Sequence, residues 1–64
     1  MPKDRGETLR RLRGNRSRAE VAKAVGITER ALKSYELGER IPRDDTKELL
    51  ANYYHRSVTY IFFK

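Results

Sequence analysis

Sixty-four residues make a single domain near the lower practical size for independent folding, able to bury only ~60% of its unfolded surface. The absence of cysteine excludes a disulfide framework and a thiolate metal site, and the longest apolar run, Tyr60 to Phe63, is far below the ~20 residues of a membrane span. The net charge of +6 is concentrated: residues 1–18 hold seven basic side chains (Lys3, Arg5, Arg10, Arg11, Arg13, Arg16 and Arg18) against Asp4 and Glu7.

Asp4 predicts the start of a first helix, with Glu7 three residues on in a capping-box arrangement. Leu9 and Leu12 form its narrow apolar stripe, and Gly14-Asn15 ends it. Ser17 caps a second helix with Glu20 at the box position, and Val21, Ala22 and Val25 recur at inward-facing helical spacing. Gly26 stops that helix and Ile27 plugs the turn. Thr28 caps a third helix, on which Leu32 and Tyr35 share one side while Arg30, Lys33, Ser34 and Leu37 lie on the other. Gly38 closes it, and Glu39 to Arg43 form a loop containing Pro42. Asp44 or Asp45 caps the fourth helix, whose stripe is Leu50, Tyr53 and Tyr54, supported by Leu49. His55-Arg56 connects to a fifth, capped by Ser57, with Val58, Ile61 and Phe62 buried. Strand-like alternation and repeats are absent, so the expected fold is all-α, one domain over residues 1–64.

Catalytic chemistry is not written in these residues. The one histidine, His55, falls in a predicted turn, no cysteine can act as nucleophile, and no histidine pair can hold a metal. Asp44-Asp45 reads as a helix start rather than a cation site. The glycines stand singly, so there is no phosphate-cradling loop, and neither a cofactor nor a small-molecule ligand is expected. Met1-Pro2-Lys3 opens no signal-peptide pattern, which makes the cytoplasm the expected location.

The most specific pattern runs from Arg18 to Leu37. Ala22 lets two helices approach, Gly26 can take the left-handed turn conformation, and Leu32 locks the second helix on the first: the spacing of a helix-turn-helix. The basic excess then suggests nucleic acid. A membrane surface is the weaker reading, because the first helix offers only Leu9 and Leu12 opposite its arginines.

A helix fits the major groove, and the outer side of the third would present Thr28, Glu29, Arg30, Lys33 and Ser34 to base edges. Arg30 suits a bidentate pair with guanine, Glu29 can accept from the cytosine amine, and Ser34 can serve several bases or a phosphate. Lys33 could meet a base or the backbone. Glu29 opposes phosphates, so it fits rejection of wrong sequences better than added affinity. An ordinary solvated helix face explains the same residues. Phosphate candidates are Ser17 and Arg18 at the start of the second helix, and Arg40 and Arg43 flanking the later loop. Arg10, Arg11, Arg13 and Arg16 would contribute long-range attraction only.

S-R-A-E-V-A-K-A-V-G-I-T (Ser17 to Thr28), A-L-K-S-Y-E-L-G-E-R-I-P-R-D (Ala31 to Asp44) and the tail Ala51 to Phe63 together resemble the Cro/C1-type, or XRE, helix-turn-helix family. The tail is similar to short members from Gram-positive bacteria and their phages. The resemblance implies a compact five-helix lambda-repressor-like domain that binds operator DNA, usually as a dimer on a palindromic site. It also implies phosphate binding at Ser17, Arg18 and Arg43, and base reading from Thr28, Glu29, Arg30, Ala31 and Ser34. Arg18 stands where members often carry glutamine, Leu37 where many carry a small polar residue, and Thr46 where an apolar residue is common. The Gly14 to Arg16 connection is shorter than the family norm.

The leading expectation is therefore a sequence-specific transcriptional regulator, a repressor of phage or mobile-element type. Dimerisation would use the fifth helix through Tyr60 and Phe63, although core packing in so small a domain explains the same aromatics. A chain ending just after that helix leaves no room for an effector pocket, which implies control by concentration or competition, or a fragment of a longer protein. The alternative is a protein-interaction module such as an antitoxin, with the C-terminal aromatics as the partner surface. An enzyme ranks last.

Overall fold

The computed structural model describes the backbone of residues 2–63 and the side chains of residues 6–63. Five helices follow one another: α1 (Pro2–Arg13), α2 (Arg18–Val25), α3 (Glu29–Glu36), α4 (Asp44–Tyr54) and α5 (Val58–Phe62), with no strand among the described residues. α1 packs on α3 and α5, α2 packs on α3 and α4, and α4 packs on α5.

Local hydrogen bonds set most of the boundaries. Ser17, Thr28 and Ser57 sit in extended conformation, and their hydroxyl oxygens accept from the backbone N–H groups of Glu20, Ala31 and Tyr60, each at 3.0 Å. Each satisfies one of the donors that a helix start leaves unpaired. At the other end of α2, Gly26 takes φ 92°, and the Ile27 N–H donates to the Ala22 carbonyl at 2.9 Å. That left-handed residue turns the chain so that α3 can cross α2. α3 closes in the same manner: the N–H groups of Gly38 and Glu39 donate back to the carbonyls of Tyr35 and Ser34. His55 takes the equivalent left-handed position after α4, at φ 58°.

Every helix contributes to one core, made of Leu9, Val21, Ala22, Val25, Leu32, Leu50, Ala51, Tyr54, Ile61 and Phe62. Leu12, Ile27, Tyr35, Tyr53 and Val58 pack around it half-buried. The large members, Phe62, Leu9, Leu32, Leu50 and Ile61, are fully enclosed, and each such burial is worth about 1.5–3 kcal/mol.

Three expectations from sequence are corrected. α1 begins at Pro2, so Asp4 lies within the helix and is not its cap. Proline suits a first helical position because its missing N–H has no intrahelical partner there. The Asp4 side chain lies outside the described residues. α4 has Arg43 as its N-cap residue and no side-chain cap bond; Asp44 and Asp45 are already helical, and the Asp45 carboxylate accepts from the Thr46 N–H at 2.8 Å. Both acids still meet the positive end of the helix dipole. Leu49 points to solvent, and Ala51 takes the inward place beside Leu50.

Gly6 is the less visible requirement of the fold. It is buried in α1, and a Cβ built there would overlap the backbone of α3, with the Glu36 carbonyl carbon at 2.8 Å and the Tyr35 oxygen at 3.0 Å. Only hydrogen allows α1 to come that close.

Candidate nucleic-acid interface

α2 and α3 form a rigid pair joined by a three-residue turn, Gly26 to Thr28, and α3 is anchored from beneath by Leu32, which has no exposed surface. The outer side of α3 carries Glu29, Arg30 and Lys33 exposed to solvent, with Ala31 and Ser34 half-covered. The major groove, ~12 Å wide, admits an α-helix of about 10–12 Å diameter. Of the predicted base-reading residues, Thr28 caps α3, Glu29, Arg30 and Ala31 form its first turn, and Lys33 and Ser34 lie in its second half. Thr28 and Ser17 are exposed, and since each lends its oxygen to its own helix, the hydroxyl hydrogen remains for an outside acceptor. Arg40 and Arg43 are exposed on the loop leaving α3.

Arg18, a phosphate candidate at the start of α2, also has a partner within the protein. Its Nε donates to the Glu36 carboxylate at 3.0 Å, and its side chain retains 32% of its exposure. Glu36 itself is fully enclosed, with a side chain 1% exposed. It also receives Arg13, through Nε at 2.7 Å and Nη2 at 3.2 Å, in a two-pronged pair. The remaining reach of Arg13 goes to the Arg16 carbonyl, 2.7 Å from Nη1. The hydrogen bonds to Glu36, with its charge, raise the already high pKa of Arg13 and outweigh the opposing effect of burial. Arg13 is therefore a structural tie between α1 and α3, not part of a diffuse basic field. Since Glu36 lies in the last turn of α3, its bond to Arg18 puts the start of α2 beside the carboxyl end of α3, from which the Arg40–Arg43 loop leaves. Arg18 thus stands beside the carboxyl end of α3, while Thr28, Glu29 and Arg30 stand at its amino end and Lys33 and Ser34 lie in its second half.

Glu36 could have been found from sequence. It stands four residues after Leu32, on the inward stripe of α3, and a charged residue in such a place requires partners. The identity of those partners, 18 and 23 residues away, was not readable. Arg16, although exposed, lies over aromatic rings, its guanidinium 5.4 Å from the Tyr53 ring centre and 5.7 Å from that of Tyr54. Arg10 and Arg11 remain exposed at the end of α1.

No described helix is long and apolar enough to cross a membrane, and no group of three acidic, histidine or cysteine side chains among the described residues could hold a metal ion.

A short helix presenting an exposed polar face and crossing a second helix through a glycine turn is the arrangement of a helix-turn-helix DNA-binding unit. A helix-turn-helix family model matches residues 9–61, and the chain belongs to this Cro/C1-type (XRE) family, with its lambda-repressor-like five-helix fold. The family is a DNA-binding one, not usually enzymatic, and the protein is a DNA-binding helix-turn-helix regulator. Comparison with curated proteins and with solved structures finds no match.

Proposed function

We propose that the protein is a sequence-specific repressor in the cytoplasm, inserting α3 into the major groove of a palindromic operator. The observation that carries this reading is the two-sided build of α3: Leu32 fully buried beneath, Arg30 and Lys33 exposed above. In it Thr28, Glu29, Arg30, Ala31, Lys33 and Ser34 read bases, with Arg30 on guanine and Glu29 on a cytosine amine. Ser17, Arg18, Arg40 and Arg43 hold phosphates and set the register. The exposure of Tyr60 (42%) and Phe63 (58%) supports a two-fold contact through α5, which would place two recognition helices on two half-sites.

Selection from random duplex DNA at fixed salt tests the proposal. A palindromic consensus is expected, and the Arg30→Ala variant should lose about 1–3 kcal/mol on it while relaxing preference at one base pair. Equal loss on every sequence would remove Arg30 from base reading. Absence of any enriched sequence would instead favour a protein-partner role for the exposed α5 aromatics.

A further inference from the structure

The Arg18–Glu36 bond joins two residues with opposite apparent roles: an arginine at the site proposed for DNA phosphate, and a buried carboxylate that removes a unit of positive charge from that site. We infer that Glu36 is a positioning residue for DNA binding, which holds Arg18 by Nε so that its terminal nitrogens face a phosphate at the start of α2. This rests on the phosphate role proposed above for Arg18.

The geometry separates the two edges of the arginine. Glu36 takes Nε of Arg18 at 3.0 Å, and the two terminal nitrogens, with four N–H donors, are left for an acceptor outside. A free arginine on a surface must lose rotamer freedom when it grips a phosphate, and one already held by its inner edge has less to lose. The holding carboxylate is itself immobile. It is buried, and Arg13 grips both of its oxygens at 2.7 and 3.2 Å. Arg13 in turn bonds the Arg16 carbonyl in the turn that leads into α2. The start of α2, where Ser17 and Arg18 stand, is thereby fixed against the last turn of α3 by side chains from α1, α2 and α3.

Glutamine at position 36 gives the proposal a sharp sign. Glu36→Gln makes the protein one unit more positive, so a purely electrostatic role for Glu36, or competition with phosphate for Arg18, requires tighter DNA binding. Positioning requires weaker binding. Affinity for a mixed-sequence duplex of about 20 base pairs should be measured across salt concentration, at a temperature where circular dichroism shows each variant folded. Glu36→Gln is expected to weaken binding about fivefold and to lower the salt slope by about one unit. A second variant does not touch the buried carboxylate: Arg18→Lys keeps the charge but cannot offer one edge inward and the other outward. It should bind within about twofold of Arg18→Ala, and both below the parent protein. Tighter binding by Glu36→Gln, or parent-like binding by Arg18→Lys while Arg18→Ala is weakened, overturns the positioning role and leaves the phosphate contact standing. An Arg18→Ala variant with unchanged affinity and slope removes the phosphate contact, and positioning with it.

Discussion

α3 and α5 are attached to the same core by different means. The eight residues of α3 fully bury one apolar side chain, Leu32, with Tyr35 half-buried beside the core, and one carboxylate, Glu36, which is held by arginines from α1 and α2. The five residues of α5 reach inward with Ile61 and Phe62, each 1% exposed, and with the half-buried Val58. Around α5 the polar contribution comes from outside the core: Lys47 of α4 lies 4.7 Å from the centre of the Phe63 ring and 5.8 Å from that of Phe62. The difference teaches how a short helix can be rigid and still offer most of its side chains to a partner. α3 borrows its fixation from neighbouring helices through directional bonds and uses few of its own positions. α5 is seated by apolar mass, so three of its five residues, Val58, Ile61 and Phe62, are taken up by packing.

The largest expected effects lie at the apolar anchors. Phe62→Ala should cost about 3–5 kcal/mol and Leu32→Ala about 2–5 kcal/mol, and a domain with stability near the low end of the usual ~5–15 kcal/mol range would be largely unfolded by either. Chemical denaturation monitored by circular dichroism measures both. A Phe62→Ala protein with an unshifted midpoint would make α5 an appendage and end the comparison.

Gly6 probes the α1–α3 side. At an exposed helical site, replacing glycine by alanine stabilises by about 1 kcal/mol. Here the new methyl group would meet the Glu36 carbonyl, a backbone atom that cannot swing aside, so Gly6→Ala should destabilise by about 1–3 kcal/mol. The sign of the shift in melting temperature is the readout, and a gain would mean that α1 and α3 are less closely seated than described.

Tyr54 lies between the two regions. Its hydroxyl is buried without a hydrogen-bond partner among the described residues, and burial, aided by the nearby Glu36 charge, pushes its pKa up to about 12 from an ordinary 10. The unfolded chain therefore releases this proton first. Stability linked to Tyr54 is complete below pH 10 and falls as pH rises towards 12, by about 1 kcal/mol near pH 11. Tyr54→Phe should flatten that alkaline loss, which denaturation at a series of pH values would reveal. The smallest effect is expected at Leu49, which is 48% exposed: Leu49→Gln should alter stability by no more than about 0.5 kcal/mol.

The sequence by itself determined the helix count, the all-α class and the caps at Ser17, Thr28 and Ser57, because each cap is a bond between residues three apart and needs nothing from the rest of the chain. The turn at Gly26 and the inward stripe of Val21, Ala22, Val25 and Leu32 were legible for the same reason, as was the outward face of α3 with Arg30 and Lys33. Charge was less legible. Arg13 and Arg18 look alike in sequence to Arg10 and Arg11, yet only the first two find Glu36. Tertiary structure alone decided that pairing, the need for hydrogen at Gly6, and the exchange of Leu49 for Ala51 in the core. Each depends on how closely one helix lies against another. Periodicity gives the direction in which a side chain points, and not the distance to the element it meets.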